Sequence, residues 1–371
     1  MAKILVSMNA FKGSISTKVA TDTVALAFEN AGFSVERVYL ADGGDGTIEV
    51  AATLGSRVEF IDTLDPLMRP IVAPVAWLGQ TAVIEMAKAS GLALISREER
   101  NPMLTTSWGT GLLIKHALEH QADRIILGVG GSATVDGGLG MLAALGFSFT
   151  DEAGSAAWRG GEGLSRLAGI VANPSARQAK VVVASDVTSP LLGPTGAAAV
   201  FAPQKGATPD MVTVLEKGLE HLADLTYKMT GVRLHDMPGA GAAGGIGGAA
   251  VAWLGGHLEP GAELFMDLEH FDSRAAGCSV LVTGEGSIDA QTIVGKAPIR
   301  VARRFRKVSP AGLTVAIAGA VHDREEVRKA GIDVLLSMVD CPMSERDAME
   351  GGQALLAQAA GELAHLLSRL P

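Results

Sequence analysis

The stretch IILGVGGSATVDGGLGM occupies residues 125–141 and joins a short apolar run to an Ala- and Leu-rich helical pattern through a loop of small residues. Glycine lets the backbone turn sharply and approach a ligand closely, and the unpaired N–H groups that open a helix carry a positive partial charge. The loop therefore predicts an anion site, with phosphate as the best candidate. Ser132, Thr134 and Asp136 would then lie beside phosphates and a magnesium ion. The same glycines also suit a tight strand-to-helix turn without a ligand, and the loop matches neither GxGxxG nor the P-loop.

Length and composition limit the class of protein. The 371 residues exceed what one hydrophobic core usually supports, so we expect two domains. A formal charge of −9 argues against a protein that binds nucleic acid or a membrane surface. The two cysteines, Cys278 and Cys341, do not have the spacing of metal ligands. No leader peptide and no apolar run of membrane-spanning length is recognised. We expect a cytoplasmic protein, monomeric or homodimeric, that binds small-molecule substrates and neither nucleic acid nor membrane.

Strand and helix patterns alternate at both ends of the chain, which predicts a parallel sheet with helices on its faces. Short turns instead join the extended runs Arg57–Thr63, Pro70–Leu78 and Thr81–Met86, which predicts a mixed sheet. The predicted fold is α/β, with a Rossmann-like parallel-sheet domain, an inserted mixed-sheet α/β domain and an active site in the cleft between them. Six strands would form the parallel sheet, starting at Lys3, Val35, Arg124, Ser279, Leu313 and Val334.

The predicted boundaries follow from this division. Residues 1–57, 103–145 and 268–371 would form the parallel-sheet domain, and residues 58–102 and 146–267 the mixed domain. The glycine-dense segment 238–248 follows no convincing strand, so close packing of a small-residue helix is favoured there over ligand contact.

Loops rich in Gly, Ser, Thr or carboxylates follow four strands assigned to the parallel sheet. Carboxyl ends of parallel strands meet at one edge, which is the usual ligand crevice of an open α/β sheet. The four loops are therefore expected to converge; they are Asn9–Ser14, Asp42–Thr47, Gly130–Gly138 and Gly284–Asp289.

The motif series as a whole resembles that of the bacterial type I glycerate kinases, in order and over almost the whole chain. The motifs are FKGS (11–14), ADGGDGT (41–47), GGSAT (130–134), DGG (136–138), PQKGA (203–207), PGAGAAGG (238–245) and GEG (284–286) with Asp289, Gln291, Thr292, Gly295 and Lys296. The resemblance implies ATP-dependent, magnesium-requiring phosphorylation of D-glycerate, with 2-phosphoglycerate as product. Two positions depart from the family pattern. Asn9 stands in a Met-Asn-Ala segment where the family usually has Pro-Asp-Ser, and Ser287 replaces a common Arg.

Phosphoryl transfer needs positioned phosphates, charge neutralisation and an oriented hydroxyl group. Lys12, Lys205 and Lys296 each adjoin a glycine in a loop, where an ammonium reaches a phosphate or the glycerate carboxylate. We therefore predict nucleotide contacts from Gly130, Gly131, Ser132, Thr134, Lys205, Gly284 and Glu285. Substrate contacts are predicted from Lys12, Ser14, Asp42 and Lys296, with Lys12 also acting in catalysis.

The carboxylates leave alternatives open. Asp186 ends a strand and is the first choice for orienting or deprotonating the substrate hydroxyl, although an aspartate there also suits a turn. Asp42 and Asp45 are alternative bases or magnesium ligands, and Mg²⁺ needs only one or two carboxylates while it bridges phosphates. Asp289 is a further predicted metal ligand, but Glu285 and Asp289 would equally bind ribose or their own loop amides.

Other functions fit parts of the pattern. A kinase of a related small hydroxy acid is one, because Asn9 departs from the family. A nucleotide- or sugar-phosphate-binding sensor without turnover is another. An NAD-dependent dehydrogenase would share the β-α repeat, but its fingerprint is missing from the first turn.

Overall fold

The computed structural model describes residues 2–289 and 297–369. The chain folds into two compact units. The first unit combines Met1–Ala41 with Ala262–Pro371, and the second is the continuous segment Asp42–Gly261.

The described residues form fifteen strands. In chain order they are β1 (Lys3–Met8), β2 (Ser34–Arg37), β3 (Arg57–Leu64), β4 (Pro70–Leu78), β5 (Thr81–Glu85), β6 (Arg124–Gly128), β7 (Ser148–Thr150), β8 (Gly169–Val171), β9 (Lys180–Ala184), β10 (His257–Glu259), β11 (Val280–Gly284), β12 (Ser287–Ile288), β13 (Leu313–Ala318), β14 (Ala320–Val321) and β15 (Val334–Ser337).

The same residues form fifteen α-helices. They are α1 (Thr17–Asn30), α2 (Thr47–Thr53), α3 (Ala87–Ser90), α4 (Trp108–Glu119), α5 (Leu139–Ala144), α6 (Gly160–Arg166), α7 (Ala197–Phe201), α8 (Pro209–Thr230), α9 (Ile246–Leu254), α10 (Gly261–Leu268), α11 (Phe271–Ala275), α12 (Ala297–Val308), α13 (Arg324–Ala330), α14 (Glu345–Glu350) and α15 (Gly352–Ser368). Ser16 and Thr208 cap α1 and α8, since each hydroxyl accepts a backbone N–H at 3.3 Å.

The first unit is built on a five-stranded, wholly parallel sheet with the order β15-β13-β11-β1-β2. Alternate residues of its strands enter two separate apolar cores, because successive side chains of a strand point to opposite faces. Ile4 and Val6 pack with Val24 of α1 on one face, whereas Leu5 packs with Phe305 of α12 on the other. Helices on both faces of a parallel sheet are the predicted Rossmann-like arrangement.

The second unit is built on a six-stranded mixed sheet with the order β10-β9-β6-β5-β4-β3. Its strands are parallel from β10 to β5, and β4 and β3 are antiparallel. The predicted mixed sheet is confirmed, and its antiparallel part consists of the hairpin-like runs seen in the sequence.

One strand lies in a different sheet from the one predicted. β6 was expected in the parallel sheet, but it pairs with β5 and β9 in the mixed sheet. Residues 42–57 and 103–145 consequently lie in the second unit, and residues 262–267 in the first. The physical reason is that an apolar parallel strand is equally at home in the parallel part of a mixed sheet, so its pattern does not specify its neighbours.

The glycine-dense segment is packed closely, as predicted. A Cβ added at Gly244 would lie 2.2 Å from the carbonyl oxygen of Thr134, and one at Gly247 would lie 2.6 Å from that of Gly239. Small residues therefore let this segment and the start of α9 approach backbone directly.

Candidate functional site

The mixed sheet aligns the ends of three parallel strands. Glu85 at the end of β5 is paired with Gly128 of β6, and Gly128 is paired with Ala184 of β9. The segments that follow are the glycine loop after β6 and the turn containing Asp186 after β9. We call the ends of β5, β6 and β9, together with the segments that follow them, the mixed-sheet edge.

The Asp42–Thr47 loop packs directly on the mixed-sheet edge. The N–H of Gly130 donates to the carbonyl of Gly43 at 2.9 Å. A Cβ at Gly43 would lie 2.1 Å from the Ala184 carbonyl oxygen, and one at Gly130 would lie 2.5 Å from Gly44 Cα. Only glycine permits this approach, so the structure brings the predicted residues Asp42, Asp45, Gly130, Gly131, Ser132 and Asp186 to one edge.

The glycine loop has an accessible tip and a buried stem. Gly131 is exposed and Gly130 and Ser132 are half-buried, whereas every residue from Ala133 to Gly138 is buried. The Thr134 side chain is fully buried, although it was predicted to contact the nucleotide. Only the tip is therefore open to a ligand.

Asp136 anchors the stem. Its carboxylate accepts the Ser107 N–H and hydroxyl, both at 2.8 Å, and the N–H of Gly138 at 3.1 Å. Complete burial raises the pKa of this carboxyl, and the hydrogen bonds from Ser107 and Gly138 oppose that rise. Asp136 thus ties the loop to the residue that precedes α4.

Lys205 also supports the loop from inside. Its side chain is 2% exposed, and its Nζ donates to Ser132 Oγ at 2.8 Å and to the Thr134 carbonyl at 2.7 Å. Burial lowers the pKa of this amine to about 7, although the charge of Asp136 acts in the opposite direction. The amine was predicted to contact the nucleotide, but in this structure it is bonded to the loop itself.

Asp186 lies in the turn after β9. The turn is fixed by the Ser185 N–H, which donates to the Glu259 carbonyl of β10 at 3.0 Å. Asp186 is half-buried as a residue, and both of its carboxylate oxygens are buried. The predicted base therefore lies in a turn that is hydrogen-bonded to the neighbouring strand β10.

Glu85 is a buried carboxylate of the mixed-sheet edge that the sequence motifs do not include. It is fully buried, its Oε2 accepts the Ile48 N–H of α2 at 3.0 Å, and its Oε1 pairs with Lys88 Nζ at 3.2 Å. Burial raises the pKa of the carboxyl, and Lys88 opposes that rise. The available signal was a single charged residue at the end of the otherwise apolar strand β5.

The parallel sheet aligns a second pair of loops at the ends of β1 and β11, which we call the parallel-sheet edge. Met8 is paired with Gly284, and the Asn9 N–H donates to the Gly284 carbonyl at 2.8 Å. Lys12 and Ser14 are exposed in the turn that follows β1. A Cβ at Gly286 would lie 3.7 Å from the backbone nitrogen of Lys12, so the two loops are neighbours.

The remaining predicted residues of the parallel-sheet edge are partly defined. Glu285 is 8% exposed, Asp289 is half-buried, and Ser287 belongs to β12, which pairs with β14. Lys296 lies outside the described residues. The Ser14 hydroxyl donates to the Met349 carbonyl at 2.5 Å, which fixes the turn on the segment that ends α14.

The expectation that all four loops meet at one edge of a single sheet is wrong. Asn9–Ser14 and Gly284–Asp289 lie at the parallel-sheet edge, and Asp42–Thr47 and Gly130–Gly138 lie at the mixed-sheet edge. The Gly130–Gly138 loop follows β6, which belongs to the mixed sheet. The Asp42–Thr47 loop comes after β2 of the parallel sheet but packs against Gly130 and Ala184 of the mixed sheet.

Magnesium would find oxygen ligands at the mixed-sheet edge. Asp42 Oδ1 already accepts the Gly44 N–H at 2.8 Å, and Asp45 Oδ1 lies 3.4 Å from the position of a Cβ at Gly131. Across residues 2–289 and 297–369, no three His, Cys, Asp or Glu side chains group as a metal site. The donors therefore fit a cation that takes one or two carboxylates and completes its shell with phosphates and water, and do not fit an all-protein cage.

Comparison with known proteins gives one consistent result. The model of the glycerate kinase family matches residues 4–368. A glycerate kinase of Bacillus subtilis (strain 168) is 41% identical, over 98% of this chain and 97% of its own. A glycerate 2-kinase of Escherichia coli (strain K12) is 38% identical, over 99% and 98%.

A solved structure agrees with these relatives. A crystal structure described as glycerate kinase 2 from Salmonella typhimurium LT2 superposes with a TM-score of 0.84 at 36% identity, covering 99% of this chain and 98% of that one. None of the helices in the described part of the chain has the length and apolarity that crossing a membrane requires.

Proposed function

This chain belongs to the glycerate kinase family, and from that membership we propose that it transfers the γ-phosphoryl group of ATP to D-glycerate, giving 2-phosphoglycerate and ADP. The observation that carries the proposal is the family match over residues 4–368, which includes every glycine loop described above. The name of the Escherichia coli relative supports the 2-hydroxyl group as acceptor.

We assign the nucleotide phosphates to the tip of the glycine loop, Gly130–Ser132. Its exposure, together with glycine at two of three positions, supports close approach of phosphate oxygens to backbone. Gly284 and Glu285 remain proposed nucleotide contacts at the parallel-sheet edge. Thr134 and Lys205 act indirectly in this proposal, because both side chains are buried behind the tip.

Magnesium is assigned to Asp42 and Asp45, with Asp289 as a further proposed ligand. When bound, the ion would supply neutralisation of phosphate charge. Lys12 and Ser14 are assigned to the carboxylate of glycerate, because an exposed ammonium and hydroxyl in one turn suit an anionic group. Lys296 keeps its proposed role in substrate binding.

Asp186 is assigned as general base. It accepts the proton of the substrate hydroxyl while that oxygen forms its bond to the γ-phosphorus, and the bond from phosphorus to the β,γ-bridging oxygen breaks to release ADP. Its place at the end of a buried strand supports the role, because a base must be held within hydrogen-bonding distance of the proton it takes. Lys12 would stabilise the developing charge.

A coupled assay for ADP, with ATP, magnesium and D-glycerate, tests the proposal, and NMR of the product distinguishes 2-phosphoglycerate from 3-phosphoglycerate. We expect turnover that depends on glycerate and yields the 2-phosphate. Binding of ATP without turnover on any hydroxy acid would contradict the kinase and favour the sensor. Light scattering of the purified chain would test the proposed monomer or homodimer.

A related hydroxy acid is the second candidate, and Asn9 is the observation that favours it. The Asn9 side chain accepts the Ala10 N–H at 2.9 Å, so a neutral amide is built into the segment where the family usually has a carboxylate. Comparing kcat/KM for D-glycerate with that for other small hydroxy acids, in the natural chain and in Asn9→Asp, would test this. Equal preference in both chains would remove Asn9 from substrate choice.

A further inference from the structure

Helix α3 lies against the tip of the glycine loop. The Leu92 N–H donates to the Gly131 carbonyl, and the Ala133 N–H donates to the Ser90 carbonyl, both at 2.9 Å. A Cβ at Gly131 would lie 3.1 Å from Ala87 Cβ. The segment that carries Lys88 is therefore hydrogen-bonded to the residues on which the nucleotide phosphates are proposed to lie.

Lys88 has one buried anchor and an accessible side chain. Its Nζ pairs with Glu85 Oε1 at 3.2 Å, and Glu85 is fully buried whereas the Lys88 side chain is 44% exposed. A buried carboxylate requires a partner that offsets its desolvation. Glu85 also accepts the Ile48 N–H of α2, the helix that follows the Asp42–Thr47 loop. One carboxylate therefore contacts both α2 and the Lys88 side chain of α3.

The charges around Lys88 match a nucleotide with its cation. Asp45, a proposed magnesium ligand, is exposed, lies beside Gly131 and acts electrostatically on Glu85. Lys205 donates into the loop from the buried side, so its amine is engaged where a ligand does not reach. An ammonium whose segment is hydrogen-bonded to the tip and whose side chain keeps access to solvent is the complement that phosphate oxygens require.

We propose that Lys88 binds a phosphate group of the nucleotide and that buried Glu85 positions its ammonium beside the glycine loop. The proposal rests on the kinase function proposed above, and it adds a phosphate contact and a positioning residue that the motif series does not contain. The opposing explanation is purely structural: Lys88 would only neutralise Glu85.

Four variants separate the two explanations: Lys88→Met, Lys88→Arg, Glu85→Gln, and the double variant Glu85→Gln/Lys88→Met. The double variant removes the buried charge together with its partner, so the protein no longer needs an ammonium for stability. Lys180→Met is the matched control, because Lys180 is an exposed lysine at the opposite, amino end of β9 in the same sheet. Each variant is measured for thermal unfolding, for the Kd of MgATP by calorimetry without glycerate, and for the KM of both substrates.

We expect Lys88→Met and the double variant to weaken MgATP binding roughly tenfold or more, the loss typical of one hydrogen bond to a charged group. Lys88→Arg should retain most of the affinity, and Glu85→Gln should weaken it less than Lys88→Met. The KM of D-glycerate should change less than twofold, and Lys180→Met should match the natural chain. A double variant that unfolds at the natural temperature and binds MgATP within twofold of the natural chain would overturn the proposal.

Failure of the proposed function would look different. If the natural chain bound MgATP but did not phosphorylate glycerate, the kinase assignment would fail while the calorimetric comparison still tested Lys88. If the natural chain turned over glycerate and Lys88→Met left MgATP affinity intact, only the role of Lys88 would fail.

Discussion

The two sheet edges carry similar glycine loops but stabilise them in opposite ways. The mixed-sheet edge is held by buried charges: Glu85 and Asp136 are fully buried and Lys205 is 2% exposed. At the parallel-sheet edge, Lys12 and Ser14 are exposed. The difference indicates that buried charged groups hold the mixed-sheet edge in place, whereas the parallel-sheet edge presents Lys12 and Ser14 to solvent. Substitutions at the two edges should therefore fail in different ways.

The largest expected effect is that of Asp186→Asn on turnover. Removal of the proposed general base should lower kcat about 100- to 10,000-fold, while calorimetry should show MgATP binding nearly unchanged. Asp236→Asn is the control, since the Asp236 side chain lies in the same unit and is 77% exposed in its pair with Arg233. If Asp186→Asn had the kcat of the natural chain, Asp186 would not be the general base.

Next in size is the effect of Gly43→Ala on stability. The added Cβ would meet the Ala184 carbonyl at 2.1 Å with φ at +84°, so we expect a loss of about 3 kcal/mol in unfolding free energy. Gly55→Ala is the control, because Gly55 has φ +82° with nothing within 4 Å, and it should lose about 1 kcal/mol. If denaturant titrations gave equal losses of unfolding free energy for Gly43→Ala and Gly55→Ala, close packing against Ala184 would add nothing to the cost of the Gly43 substitution.

Lys205→Met should change how stability depends on pH. The pKa of Lys205 is about 7 in the folded chain and near 10.5 when unfolded, so the unfolded chain binds more protons between these values. Unfolding free energy then rises with pH across that window, by up to roughly 1.4 kcal/mol per unit from this group.

Denaturant titrations of Lys205→Met from pH 7 to pH 10 should show a flatter rise than the natural chain, with Lys180→Met as the exposed control. The same slope in all three chains would show that the amine is not buried as the structure has it.

The smallest predicted effect belongs to the parallel-sheet edge. Lys12→Ala should raise the KM of D-glycerate about tenfold and leave the unfolding temperature unchanged, because the exposed side chain contributes little to packing. Lys329→Ala, an exposed lysine of the same unit, should alter neither quantity. A marked loss of stability without a change in KM would reverse the contrast between the edges.

Local structure was largely predictable from the sequence, as three strands illustrate. Pro70–Leu78 and Lys180–Ala184 have the predicted bounds, and Thr81–Glu85 is one residue shorter than predicted. These segments are bounded by turns or breakers, and such signals act locally. The neighbours of β6 were not predictable in this way, because pairing depends on contacts between distant segments that an apolar run does not encode.

The grouping of the loops was partly predictable from the sequence, and the contacts of their side chains were less so. Glycine spacing identified the loops that the structure brings together in pairs. The sequence did not reveal that the amine of Lys205 points into its own loop, since an ammonium beside glycine suits a ligand or a backbone carbonyl equally. The sequence does not single out Glu85 and Lys88, because burial of a carboxylate at a strand end is a tertiary property.

The glycine contacts between the Asp42–Thr47 loop, β6 and the Ala184 carbonyl limit how this edge evolves. Positions 43, 128 and 130 admit no side chain, since a Cβ at each would lie within 2.7 Å of neighbouring backbone. Insertions and bulky replacements at these positions would disrupt the packing and therefore cannot produce a new specificity. We therefore expect ligand preference at this edge to change through exchanges of the flanking polar side chains, with the main chain unchanged.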